Sequence, residues 1–198
     1  VLERSTHLIR RSVNLSKKTQ VIAANVDHAI LVCTIAEHKT LLGFMDRFLA
    51  SAEAYGIPAR LVFNKMDVCG PAELDELRYR EAAYQKAGYP CLRVSAVTGE
   101  GISELKALLK DQVSLFSGHS GVGKSTLANA LQPGLDLKTG EISDAHGQGR
   151  HTTTFAEMHP LDFGGYLIDT PGIRGFGLVN MEKDQVSHYF PEIFALGE

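Results

Sequence analysis

The stretch Gly118-His119-Ser120-Gly121-Val122-Gly123-Lys124-Ser125, followed by Thr126, has the spacing G-x-x-x-x-G-K-[ST]. Glycines at these intervals let successive backbone N–H groups wrap phosphate oxygens, and a helix opening at the lysine adds its positive end. Lys124 then neutralises the β and γ phosphates, and the Ser125 hydroxyl is a hard oxygen ligand for magnesium. A plain glycine-rich turn is the rival reading. Average composition yields such an octet in about one chain in a hundred of this length, and a strand before it with a helix after it favours the nucleotide.

Asn64-Lys65-Met66-Asp67 offers a second chemistry. A carboxylate at Asp67 accepts from both the ring N–H and the exocyclic amine of guanine, a donor pair that adenine lacks, so Asp67 would select GTP over ATP. Lys65 would lie along the base plane, and Asn64 would brace the base and the phosphate loop. A four-residue N-K-x-D is otherwise an ordinary exit from a strand, and the phosphate pattern is what gives it weight. The Ala96 amide of Ser95-Ala96 can donate to the guanine oxygen, with Ser95 steadying Asp67. Asp169-Thr170-Pro171-Gly172 puts a carboxylate near magnesium and the Gly172 amide near the γ phosphate. In Thr152-Thr153-Thr154 one hydroxyl, assigned to Thr153, completes the magnesium shell; the alternative is a β-prone run entering a strand.

The residue after D-T-P-G is Ile173, which has no side-chain donor or acceptor and cannot orient water as a glutamine there would. His151, beside the threonines, is the internal candidate for that task, since a neutral imidazole both accepts from and donates to water. Arg174 is a second candidate, better suited to stabilising charge. A solvated loop histidine is the plain reading of His151.

These residues need a frame, and the chain supplies short β-branched runs alternating with helical stretches. Strands are predicted at Ala29–Ile35, Arg60–Phe63, Cys91–Val94, Val113–Phe116, Phe155–Leu161 and Tyr166–Ile168. Helical spacing links Leu41, Met45, Phe48, Leu49 and Ala52, with Gly56-Ile57-Pro58 as the stop. Pro71 opens a helix carrying Leu74 and Leu77, and Gly88 and Pro90 close it. Further helices carry Ile102, Leu105, Leu108 and Leu109, then Lys124–Leu131, and lastly Lys183–Phe190. Residues 133–154 read as a long glycine-rich loop. The fold class is α/β, a mostly parallel sheet with helices on both faces.

The 198 residues suit one domain with a small appendage, and a composition of 44% hydrophobic and 22% charged residues excludes disorder and coiled coil. The longest apolar run, Ala29–Cys33, is far too short for a membrane span and no basic-then-apolar leader is seen, so a cytoplasmic protein away from membranes is expected. A net charge of −3 argues against coating nucleic acid by bulk charge. Residues 1–20 differ, with Arg4, Arg10, Arg11, Lys17 and Lys18 against Glu3 alone, which makes either a surface for RNA or a solvated strand edge. Cys33, Cys69 and Cys91 are far apart with no C-x-x-C, which favours reduced, buried thiols.

Regulatory GTPases run phosphate loop, switch threonine, D-x-x-G, N-K-x-D, then S-A. Here N-K-x-D comes first and D-T-P-G last, so the order is circularly permuted: the old terminal helix, ending near Leu109, feeds the phosphate-loop strand. This order, G-H-S-G-V-G-K-S-T at 118–126 and Gly149-Arg150-His151-Thr152-Thr153-Thr154 together resemble the RsgA (YjeQ) family of ribosome small-subunit-dependent GTPases. Other permuted ribosome-assembly GTPases carry P-N-V-G-K-S, where this chain has Ser120-Gly121 for Pro-Asn. The resemblance implies a circularly permuted, Ras-like P-loop GTPase domain over 21–180, using GTP/GDP and Mg2+. It also implies hydrolysis stimulated by the small ribosomal subunit and its rRNA during late assembly, with a monomer expected. Residues 1–20 would be a remnant of an N-terminal OB-fold or a linker. Residues 181–198 would begin a C-terminal helical, zinc-binding region, and Zn2+ is expected only there. Two rivals stay open: a nucleotide-gated rRNA-binding module with incidental hydrolysis, and an ATP-using small-molecule kinase, against which Asp67 argues.

Overall fold

The computed structural model describes residues 3, 6–11, 19–137, 157–169 and 189–190. Among them β1 (His7–Arg11) and β2 (Thr19–Ala24) form an antiparallel pair of their own, crossing the boundary expected at residue 20. There follow β3 (His28–Cys33), α1 (Leu42–Ala54), β4 (Ala59–Phe63), α2 (Pro71–Lys86), β5 (Cys91–Arg93), α3 (Ile102–Leu109), β6 (Val113–Ser117), α4 (Lys124–Leu131), β7 (Glu157–Pro160) and β8 (Tyr166–Asp169). The last six strands make one sheet in the order β5-β4-β3-β6-β8-β7, parallel except for the antiparallel edge strand β7.

The strands carry near-continuous apolar runs because both faces of the sheet are covered. Side chains alternate between the faces with period two. Ala29, Leu31 and Cys33 of β3 join Leu61 and Phe63 of β4 in one core with Met45, Phe48 and Leu49 of α1 and Leu77 and Tyr84 of α2. Ile30, Val32 and Val62 face the other core, with Leu105 and Leu109 of α3, Phe116 of β6 and Leu127 and Leu131 of α4. Phe48, Phe63 and Phe116 are at most 1% exposed, and burying each is worth about 2–3 kcal/mol.

The helix stops follow their sequence signals: Gly56 (φ 61°) and Gly88 (φ 93°) follow α1 and α2 in the left-handed region, where a side chain would strain the backbone. Pro71 occupies the first position of α2, where its missing N–H costs nothing. Three expectations change. Leu41 is not on the core stripe: it precedes α1 in extended backbone and is 66% exposed. Only Cys33 is fully buried, since Cys69, after the short helical turn at Met66–Val68, and Cys91, at the start of β5, are partly open; all three are free thiols. The strand expected from Phe155 is described only over Glu157–Pro160, and the helix expected over Lys183–Phe190 lies outside the described residues except for its last two positions. No helix among the described residues is long and apolar enough to cross a membrane.

The seam between β3 and β6 has a polar fastener. His28 and Ser114 face each other in register, and the imidazole Nε2 shares a 2.6 Å hydrogen bond with the Ser114 hydroxyl. Burial, aided by the Arg60 charge, pushes the His28 pKa down to about 4, while Asp27 opposes the shift. The unfolded chain therefore takes up this proton near pH 6.5 and the folded chain resists it until about pH 4. Stability from this group is complete above pH 6.5 and falls away as the pH drops towards 4, by about 3 kcal/mol in all. In urea titrations across that window, His28→Gln should show a shallower loss than the parent; parallel curves would remove His28 as the cause.

Candidate nucleotide site

The motif residues stand at the carboxyl ends of the parallel strands, around the β3–β6 junction where the connections change direction, which is where open α/β sheets bind ligands. After β6 the chain turns through Gly118, whose φ of 151° goes with tight quarters: a Cβ there would lie 2.5 Å from the Val32 carbonyl oxygen of β3. At Gly123 (φ 88°), the residue before α4, a Cβ would meet Asn64 Nδ2 at 2.6 Å. The Val122 side chain is buried in the α3/α4 core, so only its backbone is available to a ligand. Ser120 and Thr126 are exposed, and Ser125 is half-buried on the first turn of α4. The Lys124 ammonium rests on the loop itself, donating to the carbonyls of Gly118 (2.7 Å) and His119 (3.0 Å). Burial lowers the Lys124 pKa and the Asp169 carboxylate raises it, which places Asp169 in the electrostatic field of this loop. The His119 ring stacks on Phe44 of α1 at 4.1 Å between centroids, and burial and Lys124 both hold its pKa down.

Asn64 joins the two halves of the site. Its backbone N–H donates to the Cys33 carbonyl at 2.8 Å, fixing the exit of β4. Its side-chain Nδ2 donates to the Val122 carbonyl at 2.9 Å, and its Oδ1 accepts from the Ala96 N–H at 3.2 Å. Asn64 is 2% exposed, so these bonds are shielded from water. The Ala96 amide, expected to face the base, is thus engaged by Asn64 here. Lys65 adopts the left-handed region (φ 65°), and Asp67 is exposed. The Ser95 hydroxyl donates to Asp67 Oδ1 at 2.5 Å and itself accepts the Thr98 N–H at 3.1 Å. One carboxylate oxygen of Asp67 is therefore pinned, aiming the group.

Asn64, Lys65, Asp67, Ser95, Ala96, residues 118–126 and Asp169 are brought to one end of the sheet. His151, Thr152, Thr153, Thr154, Gly172, Ile173 and Arg174 lie outside the described residues. The hard oxygens of Ser125 and Asp169 suit magnesium, which takes hydroxyl and carboxylate ligands alongside phosphate. Among the described residues no three of His, Cys, Asp or Glu converge to hold a metal by themselves.

Residues without any motif fix the chain around the far end of α4. Asn129 of α4 clamps the chain at Leu137 through two hydrogen bonds of 2.9 and 3.0 Å, and Gln132 accepts the Asp162 N–H at 2.7 Å. Asn129 on α4 and Gln132 just past its end thus hold Leu137 and Asp162, which lie on either side of residues 138–156 in the chain. Such side-chain clamps on distant backbone leave no spacing signal in a sequence.

A phosphate loop between β6 and α4, a pinned aspartate after β4 and this strand order define a circularly permuted GTPase domain. Comparison with known proteins agrees: the chain belongs to the RsgA GTPase family, whose model matches residues 1–179. It is 55% identical over 194 residues to a Flavobacterium psychrophilum protein named small ribosomal subunit biogenesis GTPase RsgA, covering 98% of this chain and 60% of that protein. A Bacteroides fragilis protein of the same name is 54% identical, with 97% of this chain and 62% of that protein covered. The chain therefore spans about three fifths of these curated relatives. Among solved structures it resembles YjeQ from Thermotoga maritima, at 38% identity and a TM-score of 0.77 over 96% of this chain and 60% of that one. It also resembles YloQ, described as a circularly permuted GTPase, at 26% identity and a TM-score of 0.71 over 98% of this chain and 57% of that one.

Proposed function

We propose that this chain is the GTP-hydrolysing domain of an assembly factor for the small ribosomal subunit, reading guanine with Asp67 and holding the phosphates with 118–126. The observation that carries this reading is the hydrogen bond of Asn64 Nδ2 to the Val122 carbonyl, which ties a guanine-type loop to a phosphate loop across the junction of the sheet. The names of the relatives supply the ribosomal part. Ser125 and Asp169 would hold magnesium, with Thr153 as a further ligand, and the ion when bound neutralises charge on the phosphates. The chain's own residues bind and orient: Lys124 exchanges its loop carbonyls for phosphate oxygens, and Asn64 keeps the base and phosphate loops at fixed separation. Hydrolysis is in-line attack by water, with positioning and charge stabilisation supplying most of the rate. The basic residues of 1–20, Arg4, Arg10, Arg11, Lys17 and Lys18, give that segment a local positive charge that suits rRNA.

The test is GTP turnover with and without purified small subunits, together with competition between GTP and ATP for the site. Stimulation by subunits and strong preference for GTP are expected; equal binding of ATP would overturn the guanine assignment. His151 is the proposed water-orienting residue, because the Ile173 side chain has no polar atom for the task. At matched GTP occupancy, His151→Ala should lower subunit-stimulated turnover by about 100-fold, within the usual range for a positioned acid or base. Unchanged turnover with intact binding would remove His151 from the mechanism.

A further inference from the structure

Residues Thr34–Thr40, between β3 and α1, lie over the nucleotide loops, and the chemistry above uses none of them. They form a closed turn. The Thr34 N–H donates to Thr40 Oγ1 at 3.0 Å, the Thr40 N–H donates to the Thr34 carbonyl at 2.8 Å, and Thr34 Oγ1 donates to the His38 carbonyl at 2.8 Å. Both threonines are fully buried. From α2, the buried Arg80 guanidinium donates to the Thr40 carbonyl at 2.7 Å and is held in turn by Glu76, which also takes a 2.6 Å bond from Lys39. The base of the turn is thus anchored in the interior.

Its tip reaches both halves of the site. Glu37 Oε2 lies 3.3 Å from Nζ of Lys65, the lysine of N-K-x-D. The His38 ring covers Gly121 of the phosphate loop, where an added Cβ would sit 2.7–2.9 Å from Cγ, Cδ2 and Nδ1. His38 does so from left-handed backbone (φ 52°), which glycine adopts freely and other residues rarely. The chain holds a side chain at a glycine-type position, and that side chain's contact is with Gly121.

We propose that the 34–40 turn is a brace on bound guanine nucleotide, in which Glu37 and His38 are positioning residues that hold Lys65 and Gly121 in one frame. The proposal rests on the GTP reading above. A nucleotide that spans two loops stays bound only while their separation is kept. Asn64 keeps it from the core side, and the brace keeps it from the solvent side. Weakening the brace should therefore speed release more than it slows capture, as loss of local contacts usually does.

The experiment follows release of a fluorescent GDP analogue from the full chain by stopped flow, with melting temperature measured in parallel. Glu37→Gln should speed release about two- to fivefold, the range of an exposed ion pair, and flatten its salt dependence, since the parent's pair is screened by salt. His38→Gly removes the ring while relaxing the left-handed backbone, so release should quicken about three- to tenfold with the melting temperature unchanged or raised. Asp75→Asn, which breaks the exposed pair with Arg78 on α2, should leave release as in the parent. A parent chain that fails to bind GDP overturns the GTP reading and the brace with it. If the parent binds, unchanged release from His38→Gly, or release that quickens only as the melting temperature falls, overturns the brace alone.

Discussion

Asp67→Asn should weaken GTP binding by about 100-fold or more. The carboxylate would make two charge-assisted hydrogen bonds to guanine, each worth about 1.5–3 kcal/mol, and about 2.8 kcal/mol already corresponds to a hundredfold. The structure sharpens the expectation. Ser95 donates to Asp67 Oδ1 at 2.5 Å, so an asparagine would keep its carbonyl on Ser95 and turn its NH2 towards the base. Donor would then face donor. Because Asp67 is exposed, folding should hardly change, within about 0.5 kcal/mol. Competition against fluorescent GDP measures the effect, and a loss within twofold would show that Asp67 does not read the base.

Lys124→Ala should be about as severe, by a different route. The ammonium lies on the Gly118 and His119 carbonyls at 2.7 and 3.0 Å, so it is already positioned over the loop proposed to hold the phosphates and already parted from much of its water. Removing it strips a fixed positive charge, and nucleotide affinity should fall about 100-fold both with magnesium and with chelator. Ser125→Ala should behave otherwise, losing affinity only where magnesium is present. Dissociation constants for GDP under the two conditions separate the roles. An equal loss for the serine variant in both would count against it as a metal ligand.

The parts legible in the sequence were those with a period or a fixed spacing. The unbroken apolar runs Ala29–Cys33 and Leu61–Phe63 reflect burial on both faces of the sheet, and the octet at 118–125 and N-K-x-D at 64–67 carry their chemistry in consecutive residues. Asn64 as the link between them was also readable, because a strand-end amide beside a phosphate loop has few other uses. Long-range contacts between single side chains and backbone were not readable. Thr34 and Thr40 close a turn, Arg80 enters it from another helix and Asn129 grips Leu137, yet each is an ordinary polar residue in the sequence. The Ala96 amide shows the same limit, since only the folded chain shows Asn64 competing for it. His28 carries no signal in the sequence because a lone histidine at a strand start has no spacing partner: Ser114 is 86 residues away.

That separation bears on how the domain is made. Strands β3, β4 and β5, with α1, α2 and α3, form a continuous stretch of chain, whereas β3 meets β6 only across 86 residues. Closing such a distant pairing is entropically slow compared with the local β-α-β steps that precede it. A chain emerging from its N-terminus can therefore assemble Asn64, Asp67 and Ser95 on their own strands before residue 118 has been synthesised. In an unpermuted GTPase the phosphate loop comes first and waits for a base pocket. Here the residues proposed to read the base come first, and bound nucleotide can act as the template against which β6 and α4 fold.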